Sequence, residues 1–167
     1  RLSLAPGEDL PRGKSAQAKA PGQQAKEKQR ALEAFEKALA LAGADEPTRL
    51  SVGQGFVDLR ESASARKTLE PLVANDLNLC PKDEFALQWD PRRTVPEELV
   101  AQSPEETARL ERRAMLSRAH LLLGELNERE QKSKQARFEY ACAIALAPDT
   151  AEAHLKLALA YENGGLI

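Results

Sequence analysis

The chain has 167 residues, enough for one domain or a short repeat array, with 42% hydrophobic and 30% charged residues. Aromatics make up only 4%, while Ala and Leu abound, a mix that favours closely packed helices over sandwiches or barrels. A formal charge of −2 and a pI near 5.8 leave no electrostatic footprint for nucleic acid or an anionic membrane surface. The apolar runs are too short to span a bilayer, and residues 1–4 lack the shape of a signal peptide. The absence of an initiator Met leaves open a processed chain or a fragment. The cytoplasm is the favoured compartment, with secreted or periplasmic locations left open.

In chain order, residues 1–23 (RLSLAPGEDLPRGKSAQAKAPGQ) carry Pro, Gly, Ala and Lys with almost no bulky apolar residue. Burial cannot offset the ordering entropy of such a stretch, so a flexible arm is expected. Residues 24–79 read as degenerate helices. Ala31, Phe35 and Ala38 share a helical face, and Gly43 stands where that helix ends. Val52, Gly53, Phe56, Ala65, Leu69 and Leu72 then form a helix pair. Pro47 suits a first helical turn, Arg66 begins the second helix, and Pro71 is expected to interrupt it. Residues 80–102 (CPKDEFALQWDPRRTVPEELVAQ) break the pattern with three prolines and Trp89. Phe85, Leu87 and Trp89 are expected to plug a neighbouring helix; the competing reading makes Phe85 and Trp89 interaction contacts.

Order returns over 103–167. Ser103 offers an N-cap hydroxyl, Pro104 a first helical residue and Glu106 the third residue after the cap. That helix should run to about Arg129. Within 117–149, His120, Leu123, Gly124 and Asn127 recur at helical spacing, then Ala136, Tyr140 and Ala143, and Pro148 stops the second helix. Thirty-four residues on from Ser117 the pattern restarts at Ala151, with His154, Leu157, Ala158 and Tyr161 in phase and Gly164-Gly165 as the turn. This spacing of large residue, Leu-Gly, Ala, aromatic, Ala and closing Pro resembles the tetratricopeptide repeat. The resemblance covers about two-thirds of the chain and is most specific at 117–165.

The resemblance implies an all-α fold, a right-handed superhelical solenoid of antiparallel helix hairpins with an irregular insertion. It also implies a concave groove lined by the first helix of each repeat. Gln54, Arg118, Leu121, Leu122, Glu125, Glu152, Leu155, Lys156 and Leu159 would line it. Because Leu50, Ser51 and Gln54 stand where clamps for acidic tails carry Lys and Asn, an apolar groove for a short helical or extended protein segment is the expected mode. The unit starting at Ala151 lacks a second helix, so homo-oligomerisation through that end is expected. The alternatives are a structural subunit of a larger secretion, pilus or organelle assembly, and the regulatory part of a truncated enzyme.

No catalytic constellation is legible: Gly-rich phosphate loops, His-Glu-x-x-His and Gly-x-Ser-x-Gly are all missing. Glu125, Glu128 and Glu130 read as a solvated face supported by i,i+4 pairs. Cys80 and Cys142 read as two unpaired small hydrophobes rather than a framework or metal pattern. His120 and His154 share a repeat position, but adjacent repeats would hold them about 20 Å apart. That excludes one metal between them, and packing roles are expected. No enzyme activity, cofactor or nucleic-acid partner is expected.

Overall fold

The computed structural model describes residues 21–43, 45–76, 79–82 and 103–164. The contacts expected for Phe85, Leu87 and Trp89, most of the N-terminal arm, and Gly165 lie outside the described residues. Six helices make up the regular structure among those described: α1 Pro21–Ala42, α2 Glu46–Asp58, α3 Ser62–Val73, α4 Pro104–Arg129, α5 Ser133–Leu146 and α6 Ala151–Asn163. The class is all-α. Each of α1, α2, α4 and α5 packs on its successor, α3 packs on α4, and α4 also touches α2.

The helix starts follow local chemistry. Asp45 caps α2 by accepting from the Thr48 amide at 3.0 Å, with Pro47 in the first turn. Ser103 caps α4 in the same way, accepting from the Glu106 amide at 3.2 Å, and α4 ends at Arg129 as the spacing predicts. Gly43, with φ of 56°, turns the chain out of α1 in the left-handed region, and its carbonyl accepts from the Arg49 guanidinium at 2.6 Å. Two boundaries differ from expectation. α3 begins at Ser62, with Arg66 already inside it, and it continues through Pro71 to Val73. Pro71 sits in the last turn, where it removes one hydrogen bond without forcing the helix to stop.

Two hairpins, α2–α3 and α4–α5, are built alike. Gly53 faces Leu69 and Gly124 faces Tyr140; the offset from 53 to 124 is 71, as it is from 69 to 140. A Cβ on Gly53 would lie 2.4 Å from Leu69 Cδ2, and one on Gly124 would lie 2.3 Å from Tyr140 Cε1. Only glycine permits those approaches. Ala65 and Ala136, both fully buried, hold the facing position at the same offset. The turns match too. Arg60 and Gln131 adopt φ of 61° and 60°. Glu61 N donates to Phe56 O at 2.9 Å and Lys132 N to Asn127 O at 2.8 Å. Both are six-to-one closures of the Schellman type, made here without glycine.

The core divides into two clusters that meet at α4. Val52, Phe56, Val57, Leu69 and Leu72 pack with Leu116, Ala119, Leu122, Leu123 and Leu126, and Phe35 of α1 closes this cluster edge-to-face on Phe56 at 5.4 Å. Leu121 joins Ala136, Tyr140, Ala143, Ala153 and Ala160 in the second. Replacing Gly124 with Ala is expected to destabilise the chain by about 1–3 kcal/mol, because the added methyl drives into the buried Tyr140 ring. Helix propensity alone would give about 1 kcal/mol of stabilisation instead. Urea denaturation separates the two signs, and an unchanged or raised midpoint would refute the close-packing account.

Candidate functional site

Gln54, Arg118 and Glu152 come from α2, α4 and α6 and meet in one polar chain. Arg118 donates to Gln54 Oε1 at 3.0 Å and to Glu152 Oε2 at 2.6 Å. Two turns further along α4, Glu125 pairs with Lys156 of α6 at 2.9 Å and with Arg129 at 3.9 Å. Seven residues separate Arg118 from Glu125, which puts both on one helical face. These residues of α2, α4 and α6 therefore meet as polar and charged groups paired across helices, where an apolar groove floor was expected.

Leu121 and Leu122 are not part of that surface. They are 2% and 1% exposed, Leu121 in the α4–α5–α6 core and Leu122 in the α2–α3–α4 core. The flanking helices close over the interval between Arg118 and Glu125, so these leucines are walls of the core rather than a groove floor. The apolar surface lies instead on α6, where Leu155 is 59% and Leu159 43% exposed, one turn apart.

The carboxylates expected on a solvated face also reach across helices. Glu128 accepts from the Tyr140 hydroxyl at 2.8 Å, and burial together with that acceptor raises the Tyr140 phenol above its ordinary range. Glu130 takes Arg66 of α3 at 2.8 Å, which with Lys132 holds its carboxyl below the usual value.

On the far side of α4 lies a second constellation that spacing did not bring together. His120, for which a packing role was expected, is fully buried. Its Nδ1 is 2.7 Å from Glu139 Oε2, and its Nε2 is 3.7 Å from Cys80 Sγ. The sulfurs of Cys80 and Cys142 and a ring nitrogen of His120 all lie within 4.8 Å of one another. Cys142 is fully buried on α5, and Cys80 is half-buried in the 79–82 segment, which a turn bonded from Leu79 N to Asp76 O begins. His154, by contrast, contacts the Pro148 carbonyl at 2.8 Å and belongs to no such group.

The cluster polarises its own protons. A hydrogen bond from Cys142 and the adjacent His120 ring draw the Cys80 thiol down to about 6 against the burial that opposes it. Burial works against charge on His120, yet Cys80 and Glu139 raise it to about 9. Donation to Cys80 and burial push the Cys142 thiol well above its ordinary value. These shifts run in directions that favour charge on Cys80 and His120 and a neutral Cys142, with Glu139 against the His120 ring.

The chain matches no family model, no curated protein and no solved structure. Among the described residues no helix is long and apolar enough to cross a membrane.

The two classes of leucine make separable predictions. Leu121→Ala is expected to cost about 2–5 kcal/mol, as a buried truncation. Leu155→Ala should stay within about 0.5 kcal/mol, as a surface change. Chemical denaturation of the two variants checks this, and equal losses would contradict the division between core and surface.

Proposed function

We propose that the chain is a non-catalytic scaffold of the tetratricopeptide type, in which α2, α4 and α6 form the first helices of successive units and present one face to a protein segment. The duplicated hairpin carries this reading. Gly, Ala and a large residue recur at a common 71-residue offset, with the same left-handed turn closing each pair. α6 then begins at Ala151, 34 residues after Ser117, in phase with the preceding unit. A stack of this kind makes an extended face from many helices, suited to gripping a short segment along its length.

The partner chemistry follows from what α6 leaves exposed. Leu155 and Leu159 offer an apolar stripe, and Glu152 and Lys156 beside them are held by Arg118 and Glu125. A segment with apolar side chains one helical turn apart would seat on the stripe, with the paired charges as its polar rim. Photocrosslinking residues placed at 155 and 159 should capture a discrete protein. The same residue at Leu41, 79% exposed but on α1, should not. Leu155→Asp with Leu159→Asp is expected to weaken the association at least about tenfold, the equivalent of about 1.4 kcal/mol, while thermal unfolding stays unchanged. Indiscriminate crosslinking, or binding indifferent to the double substitution, would defeat the proposal.

A further inference from the structure

We propose that Cys80, His120 and Cys142 form a zinc site, with Glu139 as the carboxylate that orients the histidine ligand. Three independent features of the geometry converge on it. The donor set is two sulfurs and an imidazole nitrogen, the soft-to-borderline mixture that zinc takes in proteins. In a tetrahedral site with ordinary zinc–sulfur and zinc–nitrogen bonds, sulfur and nitrogen ligands stand about 3.6 Å apart. Cys80 Sγ and His120 Nε2 are 3.7 Å apart, and all three ligand atoms lie within 4.8 Å of one another.

The third feature is the tautomer. Glu139 Oε2 occupies the Nδ1 side of His120 at 2.7 Å, so the proton on that side is held by a carboxylate and Nε2 faces the sulfurs. This is the carboxylate–histidine–metal arrangement, in which the outer partner fixes the ring and raises its basicity as a ligand. A histidine that only packs needs no such aim.

A nucleophilic Cys80 thiol backed by the His120–Glu139 pair would use two of the same three ligands but fits less well. There the imidazole must reach a substrate atom, yet His120 is fully buried, and Cys142 would have no role. A zinc ion uses both sulfurs. On binding, zinc(II) forms bonds to the Cys80 and Cys142 sulfurs and to His120 Nε2. Two protons leave to solvent, one from the Cys80–His120 pair and one from Cys142, so charge balances without any oxidant or reductant. Two thiolates neutralise the ion, and the fourth tetrahedral position takes a water on the half-buried Cys80 side.

The site would join the 79–82 segment to the α4–α5 hairpin, since its ligands come from all three. It lies across α4 from the Arg118–Glu125 face, so it stands or falls independently of the scaffold reading.

Direct metal titration tests it. The reduced, chelator-stripped full chain is titrated with Zn²⁺ against a chromophoric competitor, and with Co²⁺ in parallel. Uptake of one zinc per chain is expected, and the cobalt form should show near-ultraviolet sulfur-to-metal charge transfer with tetrahedral visible bands. Cys80→Ser should remove about half of the charge-transfer intensity and weaken zinc by more than about 100-fold; Glu139→Gln should weaken it by about 10–100-fold. Cys80 lies outside the helices, so circular dichroism of Cys80→Ser should match the wild type and separate ligand loss from misfolding. Negligible zinc uptake by the wild type would overturn the site. So would a cobalt spectrum without thiolate charge transfer, affinity unchanged in Cys80→Ser, or a Cys80–Cys142 disulfide that persists under reductant and excludes metal.

Discussion

The fold depends on α4 being buried from two sides at once. From Leu116 to Asn127 every residue except Arg118 and Glu125 is buried, an enclosure that a surface helix with a single apolar stripe does not show. Leu116, Ala119, Leu122, Leu123 and Leu126 fill the space against α2 and α3, and Leu121 fills the space against α5 and α6. Gly124 makes the second contact possible. With a side chain there, Tyr140 could not lie against the helix backbone, and α5 would move outward with the Ala153 and Ala160 contacts of α6 behind it. Close packing of this kind transmits a displacement rather than absorbing it.

The polar groups of α4 are arranged to serve the same enclosure. Arg113 donates to the carbonyls of Ala145 and Leu146, and Arg129 to that of Val57. Each guanidinium thereby satisfies carbonyls near a neighbouring helix's C-terminus, where the last turn lacks partners and carries partial negative charge. Ser117 bonds the Ala143 carbonyl inside the hairpin at 2.8 Å. Arg112, about two turns into α4, joins Glu46 of α2 to Asp76 beyond α3, and both carboxylates favour its charged form. Exposed pairs of this kind contribute little stability individually. Their role is directional, fixing the rotation of α4 between neighbours that apolar contacts alone would leave less defined.

The helical class and most helix ends were legible because they depend on local chemistry. Ser103-Pro104 opens α4, Pro148 follows α5, and the Gly124, Ala136 and Tyr140 spacing describes the α4–α5 crossing. The burial of Leu121 and Leu122 was not legible, since it depends on how closely α2 and α6 approach α4. No spacing within α4 records that distance. α3 was misplaced at its start for a related reason: the turn before it uses Arg60 at positive φ, where glycine would have announced the boundary. The Cys80, His120 and Cys142 group is non-local, with its members on three separate stretches, so motif spacing could not assemble it. A signal for part of it did exist. His120, Glu139 and Cys142 all belong to the α4–α5 pair whose crossing the Gly124 and Tyr140 spacing describes. Only Cys80 requires the tertiary path after α3.

That path explains why one helix carries two unrelated polar features without conflict. Arg118 and Glu125 lie seven residues apart on one side of α4, and His120, two residues beyond Arg118, projects some 200° around the axis. The first side is half-exposed and its charges remain screened, so ion pairs there can exchange partners at small cost. The second side is buried at His120 and Cys142, and a polar group left unpaired there would cost several times more. His120 is accordingly satisfied at both nitrogens, by Glu139 and by Cys80. Because the partner at Nε2 comes from 79–82, the interior of the α4–α5 hairpin is complete only when that segment lies in place. Its seating is thus coupled to the hairpin by polar chemistry in the core, and the half-exposed face on the other side of α4 is left to vary independently.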